Sequence, residues 1–488
     1  MEAAAPDPRR WYALTLLCGT FFMVILDAAI VVVALPSIEA DLGFSSQDLQ
    51  WVLSAYALTF GGLLLLGGRA ADLLGRRRVF MVGLGFFTVA SLLCGLAWSP
   101  GSLIVARGFQ GVGAAIMTPT AMSILSTTFE EGAERNKALG VWGAMAGLGG
   151  TAGWLIGGPL TDGPGWRFIF YINIPVGVIA ILLSPVLLRE SRVSTARRSY
   201  DPFGALSVTA AMGLLVYAVV GAPETGWSDP KTIGLFAGSA LLLAVFVAIE
   251  AKAEAPLLPL RFLRSRTIVG ANLGTFMFSA VGYALPFVLT LYAQQVLGYS
   301  AAKFGWSSIV LPLGVIIGAT AGQSLALKVG FRPVASAGFV LLGASGLYLT
   351  QVSVGGSYFG DIFLGLALAG PGLGLAFVTL SIAALAGVAD HESGLASGMS
   401  NTSFQIGGAV GVAVASSIVI SHTGDFIADN GPGNMPLALT EGFQSGFATN
   451  IVFAAIGLAI VLALLGRPKK APDGAEKIEI SAPDLVRD

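Results

Sequence analysis

Residues 24–36 read VILDAAIVVVALP, an apolar stretch that holds a single carboxylate, Asp27. The stretch belongs to a longer apolar run, 11–36, which exceeds the core of a signal peptide and has no small-residue cleavage site at its end. A transmembrane helix needs about 20 mostly apolar residues. The run therefore predicts a retained membrane span. Because an isolated charge is costly inside a bilayer, Asp27 is a candidate functional residue.

The composition of the whole chain is typical of a membrane protein. Of its 488 residues, 55% are hydrophobic and 11% are charged, whereas about 25% are charged in soluble domains. The mean hydropathy is +0.79, and the net charge of -1 gives no indication of a nucleic-acid partner. Cys18 and Cys94 lie in apolar runs, which favours buried thiols without a disulfide. With only two histidines, no metal site or cofactor is expected.

Fourteen apolar runs are long enough to cross a bilayer as helices. They show no alternation of period two, which argues against transmembrane strands. The runs are 11–36, 49–68, 79–98, 102–125, 138–161, 166–188, 203–222, 231–250, 267–292, 304–327, 333–353, 359–388, 394–421 and 446–466. The predicted fold class is therefore an all-α membrane protein with fourteen transmembrane helices.

The distribution of basic residues predicts the orientation of these spans. When the N-terminus is placed in the cytoplasm and the spans alternate, nearly all of the 27 Lys and Arg residues fall in cytoplasmic segments. The exceptions are Arg167, Lys231 and Lys303 in outer segments and Arg107 inside a span. Because basic residues are retained on the cytoplasmic side, both termini are predicted to be cytoplasmic.

Two loops in distant parts of the chain are similar in sequence, GGRAADLLGRRRVF from Gly67 and GQSLALKVGFRPVA from Gly322. Their alignment also pairs Gly75 with Gly330. Repeated halves around a midplane site are typical of secondary transporters. The predicted organisation is an N-terminal cytoplasmic tail (1–10), an N-terminal six-helix lobe (11–190), a linker with two inserted helices (191–255), a C-terminal six-helix lobe (256–466) and a C-terminal cytoplasmic tail (467–488).

The first of these loops holds glycines and charged residues whose spacing indicates a cytoplasmic gate. Its members are Gly68, Asp72, Gly75, Arg76 and Arg77. Glycine permits a tight turn, and an acid can pair with basic residues or cap a helix. Topology alone explains the arginines, but it does not explain the spacing of the glycines and the aspartate. We interpret the loop as an inner latch that holds the outward-open state.

Several motifs resemble those of one transporter family. GGRAADLLGRRR, from Gly67, resembles the signature loop of the major facilitator superfamily. LDAAIVVVALP, from Leu26, resembles the helix-one motif of the fourteen-helix drug:proton antiporter branch of that family. This branch usually has Asn at the position of Val32. Further stretches resemble the same branch, namely RGFQGVGAA from Arg107, WRFIFYINIPVG from Trp166 and GLASGMSNTSFQIGGAVGVAV from Gly394. The resemblance covers nearly the whole chain except the two tails.

The resemblance implies a major facilitator fold and the function of a proton-coupled multidrug efflux antiporter, not of an enzyme. It implies a multi-pass protein of a bacterial cytoplasmic membrane, with the lipid bilayer, protons and a small-molecule substrate as partners. We expect a monomer. Three alternatives stay open: a dedicated exporter of one endogenous metabolite, antibiotic or lipid-like compound, a membrane-embedded enzyme, and a scaffold without transport. No nucleophile with a base, and no cluster of metal ligands, is visible in the spans.

The fifth span departs from the antiporter motif of that branch, Gly-x-x-x-Gly-Pro-x-x-Gly-Gly. The matching residues here are Gly149, Gly153, Trp154, Gly157 and Gly158, with Trp in place of the proline. Pro159 can supply a kink one turn later. We expect Trp154 to lie near the lobe interface, where it either shapes the cavity or fills the core. Close packing of the span is predicted along a glycine face formed by Gly140, Gly143, Gly147, Gly150, Gly153 and Gly157.

Asp27 and Arg107 are predicted to lie at similar depth. Asp27 is about 14 Å and Arg107 about 9 Å from the outer ends of their helices, at 1.5 Å per residue. Arg107 can alternatively extend to the interface, whereas the short side chain of Asp27 cannot. Burial disfavours an ionised carboxylate and a guanidinium favours it, so such a site can take up or release a proton. We interpret Asp27 as the proton-coupling carboxylate and Arg107 as the residue that tunes it.

Other polar side chains in the spans are candidates for lining a substrate cavity. Each of them is also compatible with an ordinary hydrogen bond between packed helices, worth about 0.6 kcal/mol. The candidates are Gln110, Asn272, Tyr283, Tyr292, Asn401 and Gln405. The second half of the chain offers no acid as deep as Asp27, which argues against a multiply charged cationic substrate.

Overall fold

A computed structural model describes residues 8–45, 47–129, 133–191, 202–253, 264–386, 388 and 393–465. These residues form helices and connecting turns, and no β-strand occurs among them. The helices are α1 (Arg10–Leu42), α2 (Trp51–Leu74), α3 (Arg76–Gly95), α4 (Pro100–Thr128), α5 (Ala133–Asp162), α6 (Phe168–Tyr171), α7 (Asn173–Leu187), α8 (Pro202–Thr225), α9 (Pro230–Lys252), α10 (Arg266–Leu291), α11 (Ala301–Ser307), α12 (Val310–Val329), α13 (Phe331–Leu349), α14 (Phe363–Leu385), α15 (Ser393–Asn430) and α16 (Met435–Leu464). Two π-helical turns, Tyr292–Val296 and Tyr358–Ile362, follow α10 and precede α14.

Eleven helical segments within the described part of the chain are long and apolar enough to cross a membrane. Two shorter apolar stretches, Trp51–Leu64 and Leu206–Val219, form parts of α2 and α8. Two of the predicted spans are each built from a pair of helices, α6 with α7 and α11 with α12. The all-helical membrane fold predicted from the apolar runs is therefore confirmed.

The helices form two bundles. Helices α1–α7 pack against one another as the N-terminal bundle, and α10–α16 form the C-terminal bundle. We call the end at which α1, α3 and α5 begin the basic end, because Arg10 and Arg76 lie there. At this end the guanidinium of Arg10 pairs with Glu134 at 2.8 Å and joins the first turns of α1 and α5. The opposite end, where α1 and α5 finish, is the far end.

The pair α8 and α9 lies outside both bundles. α8 contacts α2 of the N-terminal bundle and α15 of the C-terminal bundle, so it lies along the seam between them. The hydroxyl of Ser417 on α15 donates to the carbonyl of Val219 on α8 at 3.0 Å. The apolar side chains that pack at this seam are Ala57, Leu58, Val216, Val219, Ala409 and Ala413.

The same turn recurs in both bundles at the positions paired by the sequence repeat. Gly75 separates α2 from α3 with φ of 108°, and Gly330 separates α12 from α13 with φ of 90°. Glycine adopts positive φ readily because it has no Cβ, so each turn reverses the chain with a single residue. The predicted equivalence of the two glycines is confirmed by their backbone conformation.

Candidate functional site

Asp27 lies at the centre of a buried polar cluster in the N-terminal bundle. Its side chain is fully buried, and its two oxygens accept hydrogen bonds from three residues on two other helices. Arg107 Nη1 on α4 donates to Oδ2 at 2.7 Å. Gln110 Nε2 on α4 and Asn173 Nδ2 on α7 both donate to Oδ1 at 2.8 Å. The carboxylate thus receives one donor from a cation and two from amides.

Arg107 is turned inward and does not extend to the membrane interface. Its Nε donates to the carbonyl of Val52 on α2 at 2.9 Å, and Nη1 also donates to Gln110 Oε1 at 2.6 Å. The guanidinium carbon lies 4.3 Å from the ring centroid of Tyr56 and 5.8 Å from that of Phe170. A cation between two aromatic rings gains electrostatic stabilisation that compensates in part for lost water.

Ser91 on α3 completes the cluster. Its Oγ accepts from Asn173 Nδ2 at 3.0 Å and from Gln110 Nε2 at 3.3 Å, and it donates to the carbonyl of Phe170 at 2.9 Å. Burying an ion pair costs desolvation free energy, which excellent geometry and additional hydrogen bonds must offset. The amide donors on Asp27 and the acceptors of Arg107 supply hydrogen bonds that contribute to this offset, in a site closed to solvent.

The sequence reasoning identified Asp27 and Arg107 and missed three members of the cluster, Ser91, Asn173 and Tyr56. A signal for Asn173 exists in WRFIFYINIPVG, where it is the single amide in a stretch that is apolar and aromatic apart from Arg167. Ser91 has no such signal, since serine is common in membrane helices. Gln110 was predicted to line a substrate cavity, and the structure places it in the carboxylate cluster.

The predicted gating loop contacts the segment that follows α7. The backbone N–H of Arg77 donates to Glu190 Oε1 at 3.2 Å, and the guanidinium of Arg78 lies 3.6 Å from the same carboxylate. The backbone N–H of Arg76 donates to the carbonyl of Ser191 at 3.1 Å. Gly75 provides the turn between α2 and α3. The loop therefore fastens the start of α3 to the end of the sixth predicted span.

Two further members of the gating loop lie on α2. Gly68 faces Pro119 of α4, whose Cβ would lie 3.5 Å from an added Cβ on the glycine. The side chain of Asp72 lies outside the described residues, so its role as a latch stays a prediction.

The glycines of the fifth span pack α5 against α1. An added Cβ would lie 3.0 Å from Ile25 Cβ at Gly149, 2.6 Å from Ala29 Cβ at Gly153 and 2.9 Å from Ile30 Cγ1 at Gly157. Of the predicted glycine face, Gly153 and Gly157 do contact α1, but the prediction was wrong for Gly140, Gly143 and Gly150, which have no atom within 4 Å of such a Cβ. The close-packed row is the i, i+4, i+8 row of Gly149, Gly153 and Gly157.

Trp154 and Gly158 of the same motif face the C-terminal bundle. Trp154 is 7% exposed and packs edge-on against Phe304 of α11, with 5.5 Å between the ring centroids. Gly158 is in close contact with Ala301 and Ala302 at the start of α11. Trp154 therefore lies at the interface of the two bundles, as expected.

Polar contacts join the two bundles at the far end. The carboxylate of Asp162 accepts from the backbone N–H of Ala302 at 2.8 Å and of Ala301 at 3.3 Å. Two glutamines that follow α10 reach α1: Gln294 donates to the carbonyl of Val33 at 2.9 Å, and Gln295 donates to Glu39 at 2.8 Å. The bundles are thus fastened to each other where α1 and α5 end.

Two of the predicted cavity residues contact each other in the C-terminal bundle. Tyr283 Oη on α10 donates to Gln405 Oε1 on α15 at 3.3 Å. Beside them lies an aromatic group that the sequence reasoning did not single out. The ring of Phe404 lies 5.7 Å from Tyr283, 5.9 Å from Phe278 and 6.3 Å from Phe377. Gln405, the partner of Tyr283, borders Gly61 of α2, because an added Cβ on the glycine would lie 2.6 Å from Gln405 Cβ.

The other predicted cavity residues lie apart from this group. Asn272 donates to the carbonyl of Ile268 at 2.8 Å within α10. Tyr292 is fully buried and donates to the carbonyl of Ser353 at 2.7 Å. Asn401 is exposed and donates to the carbonyl of Ser397 one turn earlier at 3.1 Å. The bond of Tyr292 joins segments that are distant in the sequence, whereas those of Asn272 and Asn401 each lie within one helix.

Comparison with known proteins identifies the family. A model of the Major Facilitator Superfamily matches residues 17–412 and 271–483. The chain is 38% identical over 476 residues to puromycin resistance protein pur8 of Streptomyces alboniger, covering 95% of this chain and 93% of the relative. It is 37% identical over 457 residues to cephamycin export protein CmcT of Amycolatopsis lactamdurans, with coverage of 93% and 92%.

A further relative and a solved structure agree with this match. The chain is 32% identical over 431 residues to multidrug transporter protein MdtP of Bacillus subtilis, covering 88% of this chain and 79% of the relative. Its fold is similar to a crystal structure of a bacterial homologue of the human lysosomal transporter Spinster, in an inward-facing and occupied conformation. That similarity has a TM-score of 0.65 at 17% identity and covers 94% of this chain and 97% of that chain.

The chain belongs to the Major Facilitator Superfamily. It is a multi-pass membrane protein of a transporter family and not an enzyme. The family and the membrane location predicted from the sequence motifs are confirmed.

Proposed function

We propose that the protein is a proton-coupled exporter of amphipathic drugs or drug-like molecules that works by alternating access. The buried pair of Asp27 and Arg107 carries the proposal, because an acid at this depth needs a function to offset its cost. The relatives named for puromycin resistance, cephamycin export and multidrug transport support the export of such compounds. The protein acts as a monomer in a bacterial cytoplasmic membrane.

The proposed topology has fourteen spans in two six-helix lobes, 11–190 and 256–466, with two inserted helices in 191–255. Eleven candidate spans in the described residues support it, together with α2, α4 and α8, which complete the fourteen. The basic end is the cytoplasmic end, because nearly all Lys and Arg residues then fall on the side where basic residues are retained. Both termini are cytoplasmic in this arrangement.

The coupling is competition for one carboxylate. A proton neutralises Asp27, whereas a cationic or polar substrate favours its ionised form, so the two ligands exclude each other. Arg107 tunes this balance from 2.7 Å. The membrane potential supplies about 2.3 kcal/mol per charge per 100 mV, enough for about a fifty-fold substrate gradient.

The proposed substrate surface is the aromatic group of Phe278, Tyr283, Phe377 and Phe404 beside Gln405. Sites for drug-sized ligands are mostly apolar and aromatic with a few polar groups that fix orientation, and this group has that composition. Gln405 of this surface borders Gly61 at the seam of the two bundles. The inner latch formed by the loop of Gly68, Asp72, Gly75, Arg76 and Arg77 would hold the outward-open state and release it as the lobes move.

Dye efflux from vesicles tests the proposal. The wild-type protein should extrude a fluorescent amphipathic dye, and a protonophore should abolish this. Asp27→Asn should bind the dye but lose both uphill efflux and the proton release on dye binding. The matched control is Asp48→Asn, which removes an exposed acid bonded to Ser45 in the turn before α2. Normal proton release by Asp27→Asn would refute the assignment.

A second candidate is the dedicated export of one endogenous antibiotic or metabolite. The observation that favours it is that two of the relatives are named for single antibiotics, puromycin and cephamycin. A panel of unrelated amphipathic compounds separates the candidates. A multidrug exporter should extrude many of them, whereas a dedicated exporter should extrude one chemical class only.

A further inference from the structure

Every side chain that contacts the Asp27 carboxylate in the structure is a hydrogen-bond donor. Arg107 donates to Oδ2, and Gln110 and Asn173 donate to Oδ1. This arrangement suits an ionised carboxylate, which only accepts hydrogen bonds. A protonated carboxyl group carries an O–H that needs an acceptor, and none of these three donor atoms can accept it. Uptake of a proton therefore requires that one neighbour present a different atom.

The two amides are the neighbours that can do so. Turning a side-chain amide by half a revolution exchanges its oxygen with its nitrogen and hardly changes its shape. Gln110 is prevented from turning, because its oxygen accepts from Arg107 Nη1 at 2.6 Å. A turned Gln110 would direct its NH₂ group at a guanidinium, which has no acceptor.

Asn173 has no such restraint. The guanidinium of Arg107 donates to Asp27, Gln110 and the carbonyl of Val52, so it does not hold the Asn173 amide. Besides Asp27, the nitrogen of Asn173 faces the hydroxyl of Ser91 at 3.0 Å. A hydroxyl can either accept or donate, so Ser91 is compatible with both orientations of the amide.

We propose that Asn173 is a positioning residue that acts as an amide switch for the protonation of Asp27, a role that rests on the proposed function of Asp27 as the coupling acid. When an aqueous proton binds Oδ1, the Asn173 amide turns and its oxygen accepts the new carboxyl O–H. The same oxygen accepts the O–H of Ser91, which thereby leaves the carbonyl of Phe170. Arg107 and Gln110 keep their bonds throughout. When the proton leaves, the amide nitrogen returns to Oδ1.

The switch connects the proton to helix packing. The bond from Ser91 to the Phe170 carbonyl, 2.9 Å long, joins α3 to α6, and Asn173 is the first residue of α7. Turning the amide therefore breaks this bond between α3 and α6 near the junction of α6 and α7, whereas Tyr171 of α6 keeps its bond to the carbonyl of Gly95 on α3. Protonation is in this way transmitted to the sixth predicted span.

Other titratable groups near the site do not explain the same pH dependence. Arg107 of α4 bonds to the carboxylate, Tyr56 of α2 lies against Arg107, and the thiol of Cys94 on α3 lies 3.6 Å from Gln110 Oε1. Tyr283 of α10 donates to Gln405. Arginine stays protonated, and thiols and phenols ordinarily titrate at about pH 8.5 and 10, well above the usual range of a carboxyl group. α7 carries no titratable side chain, and the charged residues of α5 lie near its two ends. Lys303 of α11 is exposed.

The test is an infrared pH titration of the full-length protein in lipid vesicles. The carboxyl band of Asp27, assigned by its absence in Asp27→Asn, reports protonation directly. In Asn173→Leu the midpoint of this titration should move up by about one pH unit, because the ionised form loses a charge-assisted donor and the neutral form loses a weaker bond. Ser184→Ala removes a buried hydroxyl on the same helix, α7, and should leave the midpoint unchanged.

An exchanged pair provides the second measurement. In Asp27→Asn/Asn173→Asp the carboxyl group moves to α7 and keeps an amide partner, so a titrating carboxyl band and proton release should return. An unchanged midpoint in Asn173→Leu, or an exchanged pair without a titrating band, would overturn the switch while the proposed coupling survives. If Asp27→Asn released protons normally, the proposed function would fail, and the switch with it.

Discussion

Arg107 Nη1 lies 2.7 Å from Asp27 Oδ2 in a salt bridge whose side chains are 1% and 0% exposed. The pair is therefore removed from water on every side in the described state. Coulomb attraction is strong in such surroundings, but so is the cost of leaving either charge alone. Any event that separates or neutralises this pair is consequently a large perturbation of the N-terminal bundle.

This salt bridge predicts that the effects of substituting Asp27 and Arg107 on stability are strongly non-additive. Arg107→Met should destabilise the bundle by about 3–5 kcal/mol, because it leaves a buried carboxylate without its cation. The double variant Asp27→Asn/Arg107→Met removes both charges and should recover much of that loss. Thermal unfolding of the purified protein, followed for the wild type, both single variants and the double variant, measures the coupling. Simple addition of the two single effects would contradict a direct pair.

The packing of α5 on α1 predicts a contrast between two neighbouring glycines. Gly153→Ala should lower stability by about 1–3 kcal/mol, because its Cβ would approach Ala29 Cβ to 2.6 Å and force the helices apart. Gly150→Ala is the matched control, since no atom lies within 4 Å of its added Cβ. It should be neutral or stabilising by about 0.5–1 kcal/mol, because alanine favours a helix. Equal thermal midpoints for the two variants would count against the close-packed row.

The far-end contacts predict a shift in conformational population. Asp162→Asn replaces a carboxylate that accepts two backbone N–H groups of α11 with an amide that has one oxygen. The ratio of far-end-open to far-end-closed molecules should rise by about tenfold, which corresponds to about 1.4 kcal/mol. Spin labels at the exposed positions Trp98 and Val354 measure the separation of the bundles at this end.

The control for that experiment is Asp229→Asn, which alters the cap of α9 away from the contact between α5 and α11. It should leave the distance distribution of the two labels as in the wild type. A distribution that also stays unchanged in Asp162→Asn would show that the carboxylate does not hold the bundles together.

The packing of Trp154 at the bundle interface predicts a second effect on the equilibrium between the far-end-open and far-end-closed states. Trp154→Ala removes the ring that packs on Phe304 and leaves a void, which costs about 3–5 kcal/mol in a well-packed core. Because the void lies at the bundle interface, the closed state should lose more stability than the open one, and the wider label distance should gain population. Trp227→Ala, an exposed residue in the turn before α9, is the control. A purely structural role would lower the thermal midpoint without moving the label distances.

Much of the fold was predictable because membrane helices correspond to long apolar runs in the sequence. The run 11–36 anticipated α1, Arg10–Leu42, and the loop repeat anticipated the matching turns at Gly75 and Gly330. The breaks between α6 and α7 and between α11 and α12 were not predicted. Hydropathy does not report such breaks, since the side chains on both sides of each break stay largely apolar and the backbone turn depends on tertiary contacts.

Part of the site was predictable for a similar reason. Asp27 and Arg107 stand out because charges are rare in spans, whereas Asn173 and Ser91 have chemistry that also suits ordinary helix packing. The glycine face of α5 was predicted only in part, with Gly153 and Gly157 correct, because both the i+3 and i+4 rows of its sequence are rich in glycine. The position of α1 in the fold decides that Gly149 and Gly153 are the glycines that contact it.

The position of α8 has a mechanical consequence. Since α8 contacts α2 in one bundle and α15 in the other, it cannot move as a rigid body with both bundles when the angle between the bundles changes. One of its two faces has to slip while the other holds. The face with the stronger contact then decides which bundle α8 and α9 move with. The other face has to slide against the second bundle in every transport cycle.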